Sequence, residues 1–240
     1  MCLWISVVLT AEILLSQIFL INTESVHFQN LALYSFLFIG TIVAWLSLKP
    51  YFLTVKELQK QKSKLARFLS NTKIFNHFLS GSRRISNNPE GLGILLKGEK
   101  PKYHVLKVCN PYCGPCAKTH PLLEELYEAG NIDLQILFLA GGNDEVKLNT
   151  VRHLMGVASK EDSAYTRRAL DDWYIPKEKN YSLFASKYPL NGELKRQEDI
   201  IKKMEAWCEA ERITHTPTIF INGHELPEDY TVEDLKYVLV

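Results

Sequence analysis

The chain has 240 residues, with 28 Lys and Arg against 27 Asp and Glu, a formal net charge of +1. That balance argues against a nucleic-acid partner, which calls for a basic excess, and contents of 46% hydrophobic and 23% charged residues exclude wholesale disorder. Five cysteines are too few for a disulfide-stapled mini-scaffold, and their odd number leaves at least one thiol unpaired in a monomer.

The charge is unevenly spread. Residues 1–48 hold no Lys or Arg, and their acids are Glu12 and Glu24. MCLWISVVLTAEILLSQIFLI (1–21) and LALYSFLFIGTIVAWLSL (31–48) are apolar stretches joined by a short polar linker. At about 1.5 Å per residue, each approaches the roughly 30 Å of a bilayer core. Residues 1–50 are therefore predicted to form a helical hairpin that crosses a membrane twice. A signal peptide fits 1–21 poorly, for lack of a basic leader and a small-residue cleavage site. Glu12 within a span is costly unless it faces protein or water. Lys49, Lys56, Lys60, Lys62, Lys64 and Arg67 follow the second stretch, so the positive-inside rule alone puts the remainder in the cytoplasm.

Residues 51–89 read as a connector. Apolar residues recur at helical spacing up to Gly81, with a polar, basic back, and SRRISNNPEGLG (82–93) is rich in turn formers. The basic face suits anionic headgroups as well as plain solvent. From residue 90 the pattern becomes α/β. GILLKG and YHVLKVCN read as strands, AKTHPLLEELYEAG as a helix and IDLQILFLA as a strongly apolar strand. Residues from about 144 to 211 are mainly helical. PTIFI is a strand, Asn222-Gly223 a two-residue hairpin signal, and TVEDLKYVLV a closing helix with Thr231 as N-cap.

Cys113-Gly114-Pro115-Cys116 lies between an apolar strand and a helix, the setting of a redox pair. Cys113 at the helix N-terminus gains thiolate stabilisation from unpaired N–H groups and the helix dipole. It is placed to attack a substrate disulfide, and Cys116, one turn inside, to resolve the mixed disulfide. Pro115 falls in the first turn, where its missing N–H costs little.

These residues resemble the thioredoxin family. Cys113-Gly114-Pro115-Cys116 is similar to its active-site sequence, Pro121 to the proline that kinks its active-site helix, and Thr216-Pro217-Thr218 to its cis-proline loop. The resemblance implies a cis Pro217 that sets the Thr216 backbone beside Cys113, where an extended substrate pairs with it. The long helical stretch before Pro217 resembles the insertion of the DsbA-type branch. The expectation is an α/β thioredoxin-like fold with a helical insertion over residues 90–240, preceded by two transmembrane helices and a helical connector. One departure stands out. The family places a buried acid six residues before the first cysteine, and this chain has Lys107 there. Glu124 and His120 are the substitutes for proton transfer that the sequence offers.

The order of two spans, connector and thioredoxin-like domain resembles the C-terminal part of a bacterial vitamin K epoxide reductase fused to its thioredoxin partner. Cys2 is placed like the second cysteine of that family's transmembrane pair, whose first member lies upstream of Met1. The resemblance implies a chain whose upstream helices are encoded elsewhere or lost. It also implies a domain on the periplasmic side of the inner membrane, against the local charge count, and long domains do cross regardless of flanking charge.

The remaining cysteines have plainer readings. Cys109 ends an apolar strand, and Cys208 shares a helical face with Ile200, Ile201, Met204 and Trp207, so both suit a core. Cys109, Cys113, Cys116 and His120 also spell a conceivable zinc set. Ala117 after Cys116 excludes covalent haem, and Gly141–Asn143 lacks the Lys-Ser/Thr of a phosphate loop. DDWYIP and KYPLNG read as turns within the insertion, with Trp173 and Tyr174 as core or peptide contacts.

The sequence thus predicts a membrane-anchored thiol–disulfide oxidoreductase acting on protein or peptide thiols. It requires no metal and no cofactor beyond the Cys113–Cys116 disulfide, and the family resemblance implies quinone-linked vitamin K epoxide reductase-like helices as a membrane partner for its electrons, with the net direction left open. The alternatives are a non-catalytic peptide-binding module and a structural zinc module.

Overall fold

The computed structural model describes residues 28–140 and 144–239. The first expected span, Cys2, and the loop at 141–143 lie outside the described residues. The chain divides into two compact units after Ser63.

Helix α1 (Phe28–Leu69) is a single helix of 42 residues. Its segment from Leu33 on is long and apolar enough to cross a membrane, with Leu37, Phe38, Ile42, Trp45 and Phe52 exposed along it. α1 runs through Pro50 and so continues from the expected span into the expected helical connector. An interior proline removes one backbone bond and costs about 3 kcal/mol, and here it does not end the helix. The break comes at Asn71, whose side chain accepts from the N–H groups of Lys73 (3.0 Å) and Ile74 (3.4 Å) and so caps α2 (Thr72–Gly81).

Residues 72–89, read from the sequence as connector and linker, are packed into the second unit. Phe75 is fully buried, edge-on to Tyr230 at 5.0 Å, and Leu79 is buried beside it. Beyond α2 the chain forms a strap. The Ile85 N–H donates to Gly223 O (2.9 Å) and the Glu225 N–H to Arg83 O (2.8 Å). The buried carboxylate of Glu211 accepts from the N–H groups of Ser86 (2.9 Å) and Asn87 (2.6 Å) and from the Asn87 side chain (2.7 Å). A turn-rich composition signalled a loop. What it hid is that Arg83, Ile85, Ser86 and Asn87 bond to partners far away in sequence.

The sheet has five strands: β1 (Ile94–Leu96), β2 (Tyr103–Cys109), β3 (Ile132–Phe138), β4 (Thr218–Ile221) and β5 (His224–Glu225), in spatial order β1-β3-β2-β4-β5. Only β2 and β3 are parallel. That central pair is mostly apolar, Lys107 and Gln135 apart, and buried along nearly its whole length, as expected of parallel strands covered on both faces. The crossover between them is α3 (Gly114–Glu128). The Asn222-Gly223 hairpin forms as read, with both residues at positive φ (51° and 82°) as a type I′ turn requires. Gly93, at φ +68°, has no room for a side chain: a Cβ would meet the Ile136 carbonyl oxygen at 2.1 Å.

Between β3 and β4 lies the helical insertion: α4 (Glu145–Ala158), α5 (Ser163–Tyr174), α6 (Tyr181–Lys187), a 3-10 turn (Glu193–Gln197) and α7 (Glu198–Ala210). Residues 171–174, expected in a turn, end α5 instead, and Trp173 and Tyr174 are core residues at 1% exposure. Trp173 and Phe184 meet edge-on at 5.2 Å, and Tyr188 lies against Phe184 at 5.0 Å. Cys208 is buried in α7, as its apolar face suggested. The chain closes with a 3-10 turn (Val232–Asp234) and a short α8 (Leu235–Val238), where the Asp234 carboxylate accepts from the Thr231 N–H at 2.8 Å.

Candidate active site

The site forms where β2 ends and α3 begins. β2 delivers the chain to Cys109, the Asn110 side chain accepts from the Tyr112 N–H (2.9 Å) to shape the turn, and Cys113 becomes the N-cap of α3. Cys113 is partly exposed, while Cys116 has no exposed surface. Both are free thiols. The Cys116 N–H donates to Cys113 Sγ at 3.4 Å, and the Cys113 thiol donates to the Thr216 carbonyl at 3.2 Å. Gly114 and Pro115 are exposed at the head of the helix, and Pro121 lies further along it, also exposed.

The Thr216–Pro217 peptide is cis. The loop that carries it leads straight into β4, which pairs with β2 through Val108 and Thr218. The Thr218 hydroxyl donates back to His215 O at 2.7 Å and so fastens the loop from below. The structure thus brings Thr216 and Pro217 to the Cys113-Gly114-Pro115-Cys116 segment, with Thr216 and Cys113 separated by 103 positions in the sequence.

The two thiols are electrostatically unlike. Burial works against ionisation of Cys113, but its hydrogen bonds with Cys116 and Thr216 outweigh it, with the charge of nearby Lys107 adding to them, so its pKa lies below the ordinary thiol value. Burial pushes Cys116 up to about 12, with Cys109 adding to the shift. One thiol is prepared as a nucleophile and the other is held protonated.

Beneath the pair lies a polar interior that the sequence only hinted at. Lys107 is fully buried, donates from Nζ to the Cys116 carbonyl (3.1 Å), and sits 4.8 Å from the centre of the Tyr174 ring. The Tyr174 hydroxyl and Cys109 Sγ are 3.1 Å apart. His120, buried one turn after Cys116, has Nε2 2.9 Å from an Asp171 carboxylate oxygen and its ring against Tyr174 at 5.0 Å. Glu124 is buried too and ion-paired to Arg167 at 2.8 Å. Burial raises its pKa, and Arg167 offsets part of the rise. From the sequence Arg167 and Asp171 were given no role at the site, and Tyr174 only that of a core or peptide contact. A charged pair at helical spacing from two buried aromatics in α5 was the available signal. The zinc alternative is not assembled: among the described residues no cluster of three or more metal-donor side chains occurs.

The insertion braces the site. The Trp173 indole N–H donates to Pro111 O at 2.9 Å, and the Tyr112 hydroxyl meets Thr150 Oγ1 at 3.1 Å.

No family model matches this chain, and neither does any curated protein. Solved structures do. BcfH of Salmonella enterica Typhimurium is 14% identical, with a TM-score of 0.52, over 88% of this chain and 96% of that one. BdbD of Bacillus subtilis, in its oxidised form, is 13% identical, with a TM-score of 0.51, over 66% and 96%. A thioredoxin-like oxidoreductase from Silicibacter pomeroyi is 15% identical, with a TM-score of 0.50, over 64% and 96%. At these identities the likeness is one of fold, and together with the strand order and the inserted helices it shows that this chain carries a thioredoxin-like fold with a helical insertion.

Proposed function

We propose that this protein is a membrane-anchored thiol–disulfide oxidoreductase that exchanges disulfides with protein substrates through Cys113 and Cys116. The observation that carries the reading is the setting of Cys113: at the N-cap of α3, hydrogen-bonded by the Cys116 N–H, and 3.2 Å from the carbonyl of Thr216 in the cis-proline loop. In the reducing direction the Cys113 thiolate attacks a substrate disulfide and expels one substrate sulfur as thiolate. Cys116 then attacks Cys113 Sγ, expels the second, and leaves a Cys113–Cys116 disulfide. The reverse sequence oxidises a substrate dithiol. Thr216 and Pro217 shape the groove, with the Thr216 backbone pairing with an extended substrate. Gly114 and Pro115 keep the rim open.

The apolar stretch of α1 supports anchoring in a membrane. By resemblance, the domain works on the periplasmic side of the inner membrane and passes electrons to vitamin K epoxide reductase-like, quinone-linked helices. The partner then sets the net direction, and substrate oxidation follows.

The test is the reduction potential of the Cys113–Cys116 pair in the detergent-solubilised full chain. A value near that of thioredoxin, about −270 mV, marks a reductase or a donor feeding a membrane oxidase. A value near that of DsbA, about −120 mV, marks direct oxidation of substrates. Absence of a reversible couple in folded protein overturns the reading in favour of a binding module.

A further inference from the structure

α1 is longer than a membrane span needs to be. Its 42 residues extend about 63 Å at 1.5 Å per residue, roughly twice the hydrocarbon core. The helix is unbroken through Pro50, so the half beyond Lys49 leaves the bilayer as a stalk and does not turn to lie along the headgroups. That half carries a pattern of its own. Leu48, Tyr51, Val55, Leu58, Lys62 and Leu65 follow one another at alternating spacings of three and four, the a and d places of a heptad repeat. Leu48, Val55 and Lys62 take a, and Tyr51, Leu58 and Leu65 take d. Within the described residues this stripe is uncovered: Leu48, Tyr51, Leu58 and Leu65 are each more than half exposed. The run ends where Leu69, the next a residue, packs against the core of the second unit.

Charge and tether select the occupant. Lys49, Lys56, Lys60, Lys64 and Arg67 fall at b, c and f, turned away from the seam, as does Glu57. The flanking e and g places hold Thr54, Gln59, Gln61 and Ala66 between two phenylalanines, with no charge among them. An acidic partner finds no cation beside the seam, and two copies of α1 meet no repulsion along its flanks. A second copy in the same membrane presents the same stripe at the same height and in the same direction. That shared anchoring removes much of the orientational cost of association, which matters for a seam this short. Val at a with Leu at d favours two strands, and a lone Lys at an a place fixes register and strand number at some cost in stability.

Building on the membrane anchoring proposed above, we infer that the stalk of α1 pairs with that of a second copy of this chain, as a parallel two-stranded coiled coil over residues 48–65. The two Lys62 side chains lie on the seam and carry their ammonium groups out to its edge, their stems covering its apolar surface. Further into the membrane the same register passes through Ala44 and Thr41, small residues that allow close approach. Two copies of the second unit, and so two Cys113–Cys116 pairs, share one stalk.

The experiment uses the full-length chain in isolated membranes, with Cys2→Ser and Cys113→Ser to silence the thiols outside the core; Cys109, Cys116 and Cys208 are buried. Into this background go Leu58→Cys and Leu65→Cys at d, and Lys60→Cys and Arg67→Cys at f. Oxidation by copper phenanthroline is read on non-reducing gels. Disulfide-linked dimer is expected to form at least tenfold faster from the d positions than from the f positions. Native mass spectrometry of the unsubstituted chain in mild detergent should give the mass of a dimer. The double variant Leu58→Asp with Leu65→Asp should give a monomer, with the thermal melt of the second unit unchanged. Equal cross-linking at d and f overturns the inference, and so does a monomer or a trimer for the unsubstituted chain, or a dimer that survives both Asp substitutions. None of these readouts involves disulfide exchange, so that reaction stands in each case. If the chain is washed from the membrane by alkaline carbonate, the anchoring fails and the inference with it.

Discussion

Trp173 and Pro111 are joined by a hydrogen bond from the indole N–H to the backbone carbonyl, 2.9 Å long and wholly buried. The bond links the helical insertion to the turn that presents Cys113. Trp173→Phe keeps most of the ring and strands the Pro111 carbonyl, at a cost of about 2 kcal/mol. Denaturant melts are expected to show that loss together with slower alkylation of Cys113. Stability and alkylation rates equal to wild type would show that the insertion does not brace the site.

Cys113 and Cys116 should separate cleanly in a pH-dependent alkylation experiment read by peptide mass spectrometry. Cys113 is expected to reach half its maximal rate below about pH 8.5, the free-thiol value. Cys116, Cys109 and Cys208, all buried and shifted upward, should label only on unfolding. The lowered pKa of folded Cys113 also fixes a sign. Its ionisation favours the folded dithiol form fully above the unfolded value, and the benefit is lost as pH falls through the folded value. Dithiol stability should therefore rise with pH across that window, and a fall would contradict the assignment.

Exchange itself has two diagnostic variants. Cys113→Ser is expected to abolish turnover. Cys116→Ser should accumulate a substrate-linked species, visible on non-reducing gels and cleared by reductant. Equal turnover in Cys113→Ser would leave only a binding role for the domain.

Glu211 ties down the strap with one buried carboxylate oxygen that accepts three hydrogen bonds. Glu211→Ala orphans the N–H groups of Ser86 and Asn87, and a loss of about 2–3 kcal/mol is expected from chemical denaturation. Limited proteolysis should then cut within residues 82–93. An unchanged midpoint and digestion pattern would count against the strap as a structural element.

Membrane attachment is checked by fractionation. The full chain is expected to stay with the membrane pellet through an alkaline carbonate wash. Recovery in the supernatant would rule out α1 as a spanning segment.

The features that read well from the sequence were those fixed locally. The Asn222-Gly223 turn needs only two residues at positive φ, and Cys113 needs only a strand before it and a helix after it. The order of elements followed from hydrophobic pattern together with turn and cap residues. Features that depend on distant partners were hidden. Residues 1–50 and 51–89 were read as span and connector from the change in charge, yet α1 runs unbroken across that division and through Pro50. Residues 82–89 looked like a free linker because the partners of their backbone groups, Glu211 and Gly223, lie far away in sequence. Lys107 stood out as a departure from a family pattern. Its contact with the Cys116 carbonyl and the Tyr174 ring arises only when β2, α3 and α5 meet.

The strap also bears on self-association. β5 pairs with β4 on one side, and on the other it meets the strap through Arg83, Arg84 and Ile85. An uncovered strand of this kind offers its open N–H and C=O groups to any passing chain, and proteins hide such borders to stay soluble. The strap serves as that cover. A fragment cut at residue 90, where the α/β pattern begins, would lose it along with Phe75 and Leu79, and would be expected to oligomerise through β5. A well-behaved soluble domain has to start upstream of Asn71, so that it keeps the α2 cap, α2 and the strap.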